Sequence, residues 1–489
     1  MLNSSYKNEI RDTLKDYEKA KSKHANWVEL WRECYNFTNP NISKKNKFPI
    51  YDATAPDAVD ELAGVLINEL YPYTSDWVEI KDINTKELQH DDISNQVRKN
   101  IMEAIRTSNF QVEIHQIMMD LIVAGTGVML IEQGDLNSDN KIKFNALDIQ
   151  NIILSEKSHG QVDALYINKT FSFDELITKY PNAKAFISCE KENSYNVIET
   201  IKQTNGKWQL VAILLNDKKN QIIMKTEYEN SPFVVFRWQK QSGEVYGRSP
   251  VMKSLPDIKT VNKIAELTLK NASISVTGIW QADDDGVLNP NNIRLVPGAI
   301  IPKAVGSSGL QPLKSPGEFN LSNMLIEPLQ QRIRKSLLAG VFTTSTLRTA
   351  TEVAEQAMRA RQILNSVFER ITQEAMIPMI KRITNILVKQ GTIINPKQHN
   401  LYIDAISPNE RFNKQQKVMV VKQVIKELKQ LGIDISNVFD IKETLLWLSR
   451  QMELPDSILI NNNDFMLENL NDINNFVNNP QQELLNEQL

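Results

Sequence analysis

VMKSLPDIKTVNKIAELTLKNA (251–272) and FNLSNMLIEPLQQRIRKSLLAG (319–340) are the two stretches whose reading decides the fold. Both read as helices. Ser254 is placed to cap the first, with Pro256 and Asp257 in its first turn and an end near Ala272. Pro328 must kink or start the second. Between them, residues 273–318 change character: β-prone runs at Ile274–Trp280 and Ile293–Ile301 are separated and followed by Pro290, Pro297, Pro302, Pro312 and Pro316. A small β-containing insertion thus sits between two helices.

Upstream, Ile10, Leu14, Tyr17, His24, Val28, Trp31 and Tyr35 leave one apolar stripe on a helix over 5–37, ended by Pro40. Helices follow at Asp57–Leu70, 90–107 and 111–124, with a short strand at Trp77–Ile80 between the first two and the capping-type Thr107-Ser108-Asn109 between the last two. From Gly127 the period shortens. Val128–Glu132, Ile142–Asn145, Ile152–Leu154, Ala164–Thr170, Trp208–Leu215, Gln221–Glu227 and Phe233–Trp238 predict an antiparallel sheet.

Downstream, Thr349 and Glu352 form a capping-box pair. Val353, Ala357, Ala360, Leu364, Val367, Ile371 and Ala375 then give a narrow helix-packing seam, which Pro378 bends before the helix resumes to Gly391. Two more helices are expected at Val418–Leu431 and Ile441–Met452. The fold class is α+β, mainly helical.

Composition narrows the function. With 41% apolar and 24% charged residues, the 489-residue chain can bury a sizeable core. A net charge of −3 argues against a protein whose task is to grip nucleic acid with a basic surface. Charge is uneven: no Lys or Arg follows Arg450, and the last 39 residues carry −7 against +4 for the rest. An acidic, Asn-rich tail (461–489) is expected to fray, although Phe465, Leu467, Leu470, Ile473 and Phe476 suit one short docked helix. Cys34 and Cys189 exclude a disulfide scaffold and a four-thiolate metal site. The start lacks an apolar signal core, and Leu121–Ile131 is too short to cross a bilayer, so a soluble, intracellularly made chain is expected.

No residue pattern points to catalysis, a metal or a cofactor. His24, His90, His115, His159 and His399 are scattered, with no HExxH or CxxC spacing. Aligning Asp283-Asp284-Asp285-Gly286 to a calcium loop puts Gln281 first and Asn292 last, where carboxylates are required. Gly125-Thr126-Gly127 lacks a third glycine and follows a helix instead of a strand, so it is no dinucleotide loop.

Five stretches carry a resemblance. They are Trp31, Tyr35 and Pro40 with Tyr51-Asp52-Ala53-Thr54, Leu62-Ala63-Gly64-Val65-Leu66, Leu70-Tyr71-Pro72 and Trp77; Ser108-Asn109-Phe110 leading to Leu121–Gly127; Pro232–Trp238 with Gly243–Pro250; Val296–Ile300; and Arg348–Val353. In this order, over roughly 25–390, the chain resembles the portal (head-to-tail connector) proteins of short-tailed bacteriophages, the podovirus type.

The resemblance implies a wing (1–250), stem helices (251–272 and 319–340), a clip (273–318), a tunnel loop (341–349), a long kinked helix returning to the wing (350–408) and a crown (409–460). It implies a homo-dodecameric ring at the capsid portal vertex of the virion, made in the host bacterial cytoplasm. Double-stranded DNA would pass through it; the terminase large subunit, the major capsid protein, a tail adaptor protein and internal core proteins would be its partners. The near-neutral chain suits a ring through which DNA slides, because each neutralised phosphate adds affinity. Arg348, Arg332, Arg334 and Lys335 are the candidates for DNA contact in the tunnel; Asp283, Asp284 and Asp285 are the clip's candidates for terminase or adaptor contact. The alternatives are another ring- or shell-forming structural protein, or a divergent nuclease or ATPase.

Overall fold

The computed structural model describes residues 2–39, 49–73, 75–82, 92–134, 140–156, 160–187, 194–215, 220–277, 280–281, 305, 311–312, 319–339, 350–432 and 438–451. The chain forms two compact units, Met1–Pro408 and Asn409–Leu489.

The first unit begins with a long helix, α1 (Leu2–Thr38), whose stripe buries Tyr17, Ala20, His24, Trp31, Cys34 and Tyr35. Helix α2 (Thr54–Leu70) starts three residues before the expected Asp57, because the Asp52 carboxylate accepts the Thr54 N–H (3.0 Å). Strand β1 (Val78–Asp82) is followed by α3 (Asp92–Arg106) and α4 (Phe110–Val123). Asn109 precedes α4 without capping it. Its side chain instead pairs with both backbone groups of Phe144, at 2.7 and 3.0 Å.

The β region contains two sheets where the sequence suggests one. Strands β2 (Thr126–Gln133), β3 (Ile142–Leu147), β4 (Ile152–Glu156) and β5 (Val162–Phe171) come first. A short helix, α5 (Phe173–Lys179), interrupts the run. Strands β6 (Tyr195–Thr204), β7 (Lys207–Leu214), β8 (Gln221–Tyr228) and β9 (Phe233–Arg237) complete it. The three-stranded antiparallel sheet has order β3-β2-β9, and the five-stranded meander runs β4 to β8. Strand β6, unexpected from sequence, is the meander's centre. Helix α5 was also unexpected, although Ser172 and Glu175 cap it reciprocally.

Next comes the helical hairpin. Helix α6 spans Pro250–Thr277, so the expected strand from Ile274 is helical as far as Thr277. The two-residue strands β10 (Trp280–Gln281) and β11 (Gln311–Pro312) pair beyond its tip. Helix α7 (Phe319–Ser336) returns, with Pro328 inside it. Helix α8 (Ala350–Ile371) passes through a π-helical turn, Thr372–Met376, into α9 (Ile377–Lys389). The expected irregularity at Pro378 is this π-turn: proline has no N–H to give the carbonyl four residues back, and the ladder shifts by one. Strand β12 (Leu401–Ala405), also unforeseen, pairs antiparallel with β1. One continuous core joins α1, α2, α4, the three-stranded sheet, the near ends of α6 and α7, and α8–α9.

The second unit contains α10 (Pro408–Gln430), about ten residues longer than the expected Val418 start, and α11 (Ile441–Gln451). No helix among the described residues is long and apolar enough to cross a membrane.

Candidate functional site

The root of the α6–α7 hairpin is where the chain invests its polar side chains. Helix α6 is capped by Ser249, not Ser254: the Ser249 hydroxyl accepts the Met252 N–H (2.9 Å) and donates to the Val123 carbonyl (2.9 Å). Ser254 lies one turn inside, donating to the Pro250 carbonyl (3.0 Å) and pairing with Ser336 of α7 at 2.7 Å. The segment before α2 ties the same helices together. Asn262 of α6 accepts from the backbone N–H groups of Tyr51 (2.7 Å) and Asp52 (3.3 Å), while Gln330 of α7 donates to the Asp52 carboxylate at 2.5 Å. Lys259 pairs with Glu33 of α1. Asp52 therefore starts one helix and holds the other two in place.

Beneath the root, two glycine turns interlock. Gly125 has φ +76°, and a Cβ there would lie 2.3 Å from the Gly247 carbonyl oxygen; a Cβ on Gly247 would lie 2.3 Å from the Gly125 oxygen. This approach lets Trp238 N–H donate to Gly125 (2.9 Å) and Gly247 N–H donate to the Thr126 hydroxyl (2.8 Å). Any side chain at either position would force the backbones apart. Next to it, Tyr246 accepts the Leu154 N–H (2.9 Å) and meets Trp31 edge-on at 4.9 Å. Tyr71, Trp77 and Phe110 form a second aromatic cluster, with centroids 5.1–6.0 Å apart.

Two buried polar groups brace the surroundings. Arg237, at the end of β9, donates to Glu374 of the π-turn (2.7 Å), Glu156 (3.3 Å) and the carbonyls of Gly160 (2.9 Å) and Val245 (3.2 Å). Asp120 of α4 accepts from the Tyr35 hydroxyl (2.6 Å) and the Gln116 amide (3.2 Å). Burial outweighs those bonds and pushes its carboxyl up to about 7. Burial also lowers the His24 imidazole's proton affinity and pushes the Cys34 thiol up to about 12, so neither reads as a reactive group. Among the described residues no three His, Cys, Asp or Glu side chains cluster to hold a metal ion.

The hairpin changes along its length. At the root, Val251, Leu255, Ile258 and Val261 of α6 share the core with Ile333 of α7 and Leu337 just past its end, all buried. Further out Leu267, Leu269, Met324 and Leu325 are 51–72% exposed.

Of the residues singled out from sequence, three lie on α7. Arg332 is exposed and pairs with Asp257 of α6 at 2.9 Å; Arg334 and Lys335 are exposed near the root. Asp283, Asp284, Asp285 and Arg348 fall outside the described residues, as do Thr349, the 341–349 segment and 461–489. The structure brings together instead residues of separate short motifs, Trp31 with Tyr246 and Gly125 with Gly247, and ties the motif residue Asp52 to Asn262 and Gln330. Asn262 and Gln330, which complete the root, belong to no motif and had no sequence signal.

Comparison with known proteins places this arrangement. The profile of the family described as "Bacteriophage head to tail connecting protein" matches residues 11–459. The chain belongs to that family. Similar members include the portal protein of Escherichia phage T7, 20% identical over 408 residues, covering 76% of this chain and 73% of that one. A probable portal protein of Bordetella phage BPP-1 is 20% identical over 434 residues, covering 80% and 77%. Among solved structures, a chain from the virion of a native gene transfer agent particle covers 87% of this chain and 93% of its own, with a TM-score of 0.42 and 10% identity. The interlocked glycine turns, the Asp52 segment and the Trp31–Tyr246 contact are thus how this member of the head-to-tail connecting family seats its hairpin.

Proposed function

We propose that this chain is the portal subunit of a short-tailed phage. Twelve copies close head to tail into a ring at one capsid vertex, and double-stranded DNA passes through it during packaging and ejection. In this reading α6 and α7 are the stem, the segment between them the clip, 341–349 the tunnel loop and the second unit the crown. Arg348, Arg334 and Lys335 meet passing phosphates weakly. Arg332, already paired with Asp257, contributes least. Asp283, Asp284 and Asp285 meet the terminase large subunit and then the tail adaptor protein; the major capsid protein and internal core proteins surround the ring.

The observation that carries the reading is the two-sided outer half of the hairpin. Leu267 and Leu269, both more than half exposed, stand two residues apart and so point ~200° apart around α6. One neighbour covers one of these sides only. A copy on each side covers both, and such heterologous contacts make a ring when the rotation closes. The test is native mass and ring-averaged electron microscopy: twelve copies weigh about 670 kDa. A stable monomer or dimer at micromolar concentration, or an open filament, overturns the reading.

A further inference from the structure

The second unit leaves an apolar stripe uncovered. Along α10, Val418, Val421, Ile425 and Leu428 step by three and four and turn inward, with Val418 buried and the others half-buried. Beside that seam runs another. Val420, Val424 and Leu431 are 57%, 36% and 73% exposed, one above the other across twelve residues, or ~16 Å of helix. Exposed apolar groups in register on one helix face are a docking surface in want of a partner.

The chain carries a segment of matching pattern. After α11 ends at Gln451, the sequence places Met466, Leu470, Ile473 and Val477 at steps of four, three and four. Positions 420, 424, 427 and 431 have the same steps, with Glu427 as the one polar member. Both stripes therefore span the same ~16 Å if helical. The two segments also carry opposite net charge. From Asn409 to Arg450 there are eight basic and five acidic residues, among them the exposed Lys417, Lys422 and Lys426; beyond Arg450 there are seven acidic residues and no basic ones. The fourteen residues 452–465 reach up to ~45 Å, which exceeds the ~35 Å length of α10. A tethered segment acts at an effective concentration near the millimolar range, enough for a weak stripe to hold.

We propose that residues 464–477 dock on the Val420–Val424–Leu431 face of α10 in the same chain. On a helical wheel the segment's Asp464, Glu468 and Asp472 lie opposite its apolar stripe. Docking therefore covers the apolar face and adds an acidic outer surface to a basic helix.

The test is a disulfide in the full-length chain between Val424→Cys and Ile473→Cys, with each single variant as the control for Cys34 and Cys189. The expected product is a faster-migrating band of monomer mass on a non-reducing gel, formed by the double variant alone. No cross-link, or a band of twice the mass showing that a second copy occupies the stripe, overturns the proposal. Hydrogen exchange provides the second measurement. Leu470→Asp with Ile473→Asp should speed exchange of the amides at 418–431 by about tenfold, because a covered helix is protected from local opening; unchanged exchange there overturns the proposal equally.

Discussion

The two halves of one helix obey different rules. From Val251 to Val261, α6 has its apolar residues in the core of its own subunit; from Asn262 to Ser273 none is fully buried, although leucines continue. The first half is a piece of a folded domain. The second is a surface with the composition of an interface. The same sequence type, lysine and leucine at helical spacing, is buried in one place and exposed in the other, and only what lies beside the helix distinguishes them.

The sharpest way to break this comparison is to put the same charge in both halves. Val261→Asp should destabilise the subunit by about 4 kcal/mol or more, since it buries an unpaired carboxylate, and a urea melt should find little folded protein. Leu267→Asp should change the melt by less than about 0.5 kcal/mol yet prevent ring formation on a sizing column. Equal effects on the melt would erase the distinction.

The floor beneath the root gives the next largest effect. Gly247→Ala sets a Cβ 2.3 Å from the Gly125 carbonyl oxygen and 3.0 Å from the Trp238 nitrogen, neither of which is a side chain able to turn away. A loss of about 2–4 kcal/mol is expected. Gly243→Ala meets only the left-handed φ of +84° in open space and should cost about 1–2 kcal/mol. Denaturant midpoints of the two variants measure the difference.

Asp120 sharpens the picture through pH. Its carboxyl keeps its proton up to about pH 7 in the folded chain and releases it near 3.8 when unfolded. Between those values the unfolded state binds fewer protons than the native one, so this group makes stability fall as pH rises, and the loss is complete above 7. Asp120→Asn keeps an acceptor for Tyr35 and removes the slope, which is at most about 1.4 kcal/mol per pH unit. Thermal melts should coincide with wild type at pH 3 and lie above it at pH 8. The smallest effect is expected on the hairpin's surface: Arg332→Ala removes a solvent-exposed ion pair to Asp257 and should cost no more than about 1 kcal/mol in the same melts.

Much of the helical framework was readable residue by residue. The stripe from Ile10 to Tyr35, the seam from Leu364 to Ala375 and the α6–α7 pair all announce themselves through spacing, since a helix returns the same face every three to four residues. Strands were less visible. Tyr195–Thr204 mixes Glu199 and Thr200 among its valine and isoleucines because, at the centre of the meander, Glu199 is held by Lys179 at 2.5 Å and Tyr180 at 2.7 Å. Leu401–Ala405 alternates inward and outward as a strand should, but its partner lies more than three hundred residues earlier in the chain. The Ser254 cap was misplaced because Ser249, preceding Pro250, satisfies the same rule and is also within reach of the Val123 carbonyl.

By itself, the amino-acid sequence determined the helix faces, the two-helix plan around 251–340, the absence of a cysteine framework and the family motifs in their order. Those depend on short-range periodicity and on residue type. Tertiary structure alone decided what the motifs are for: that Gly125 and Gly247 exist for each other, that Asp52 organises α2, α6 and α7 at once, and where along α6 burial stops. The Gly125–Gly247, Asp52–Asn262 and Asp52–Gln330 contacts join residues more than a hundred positions apart, and local spacing carries no record of which distant group will arrive there.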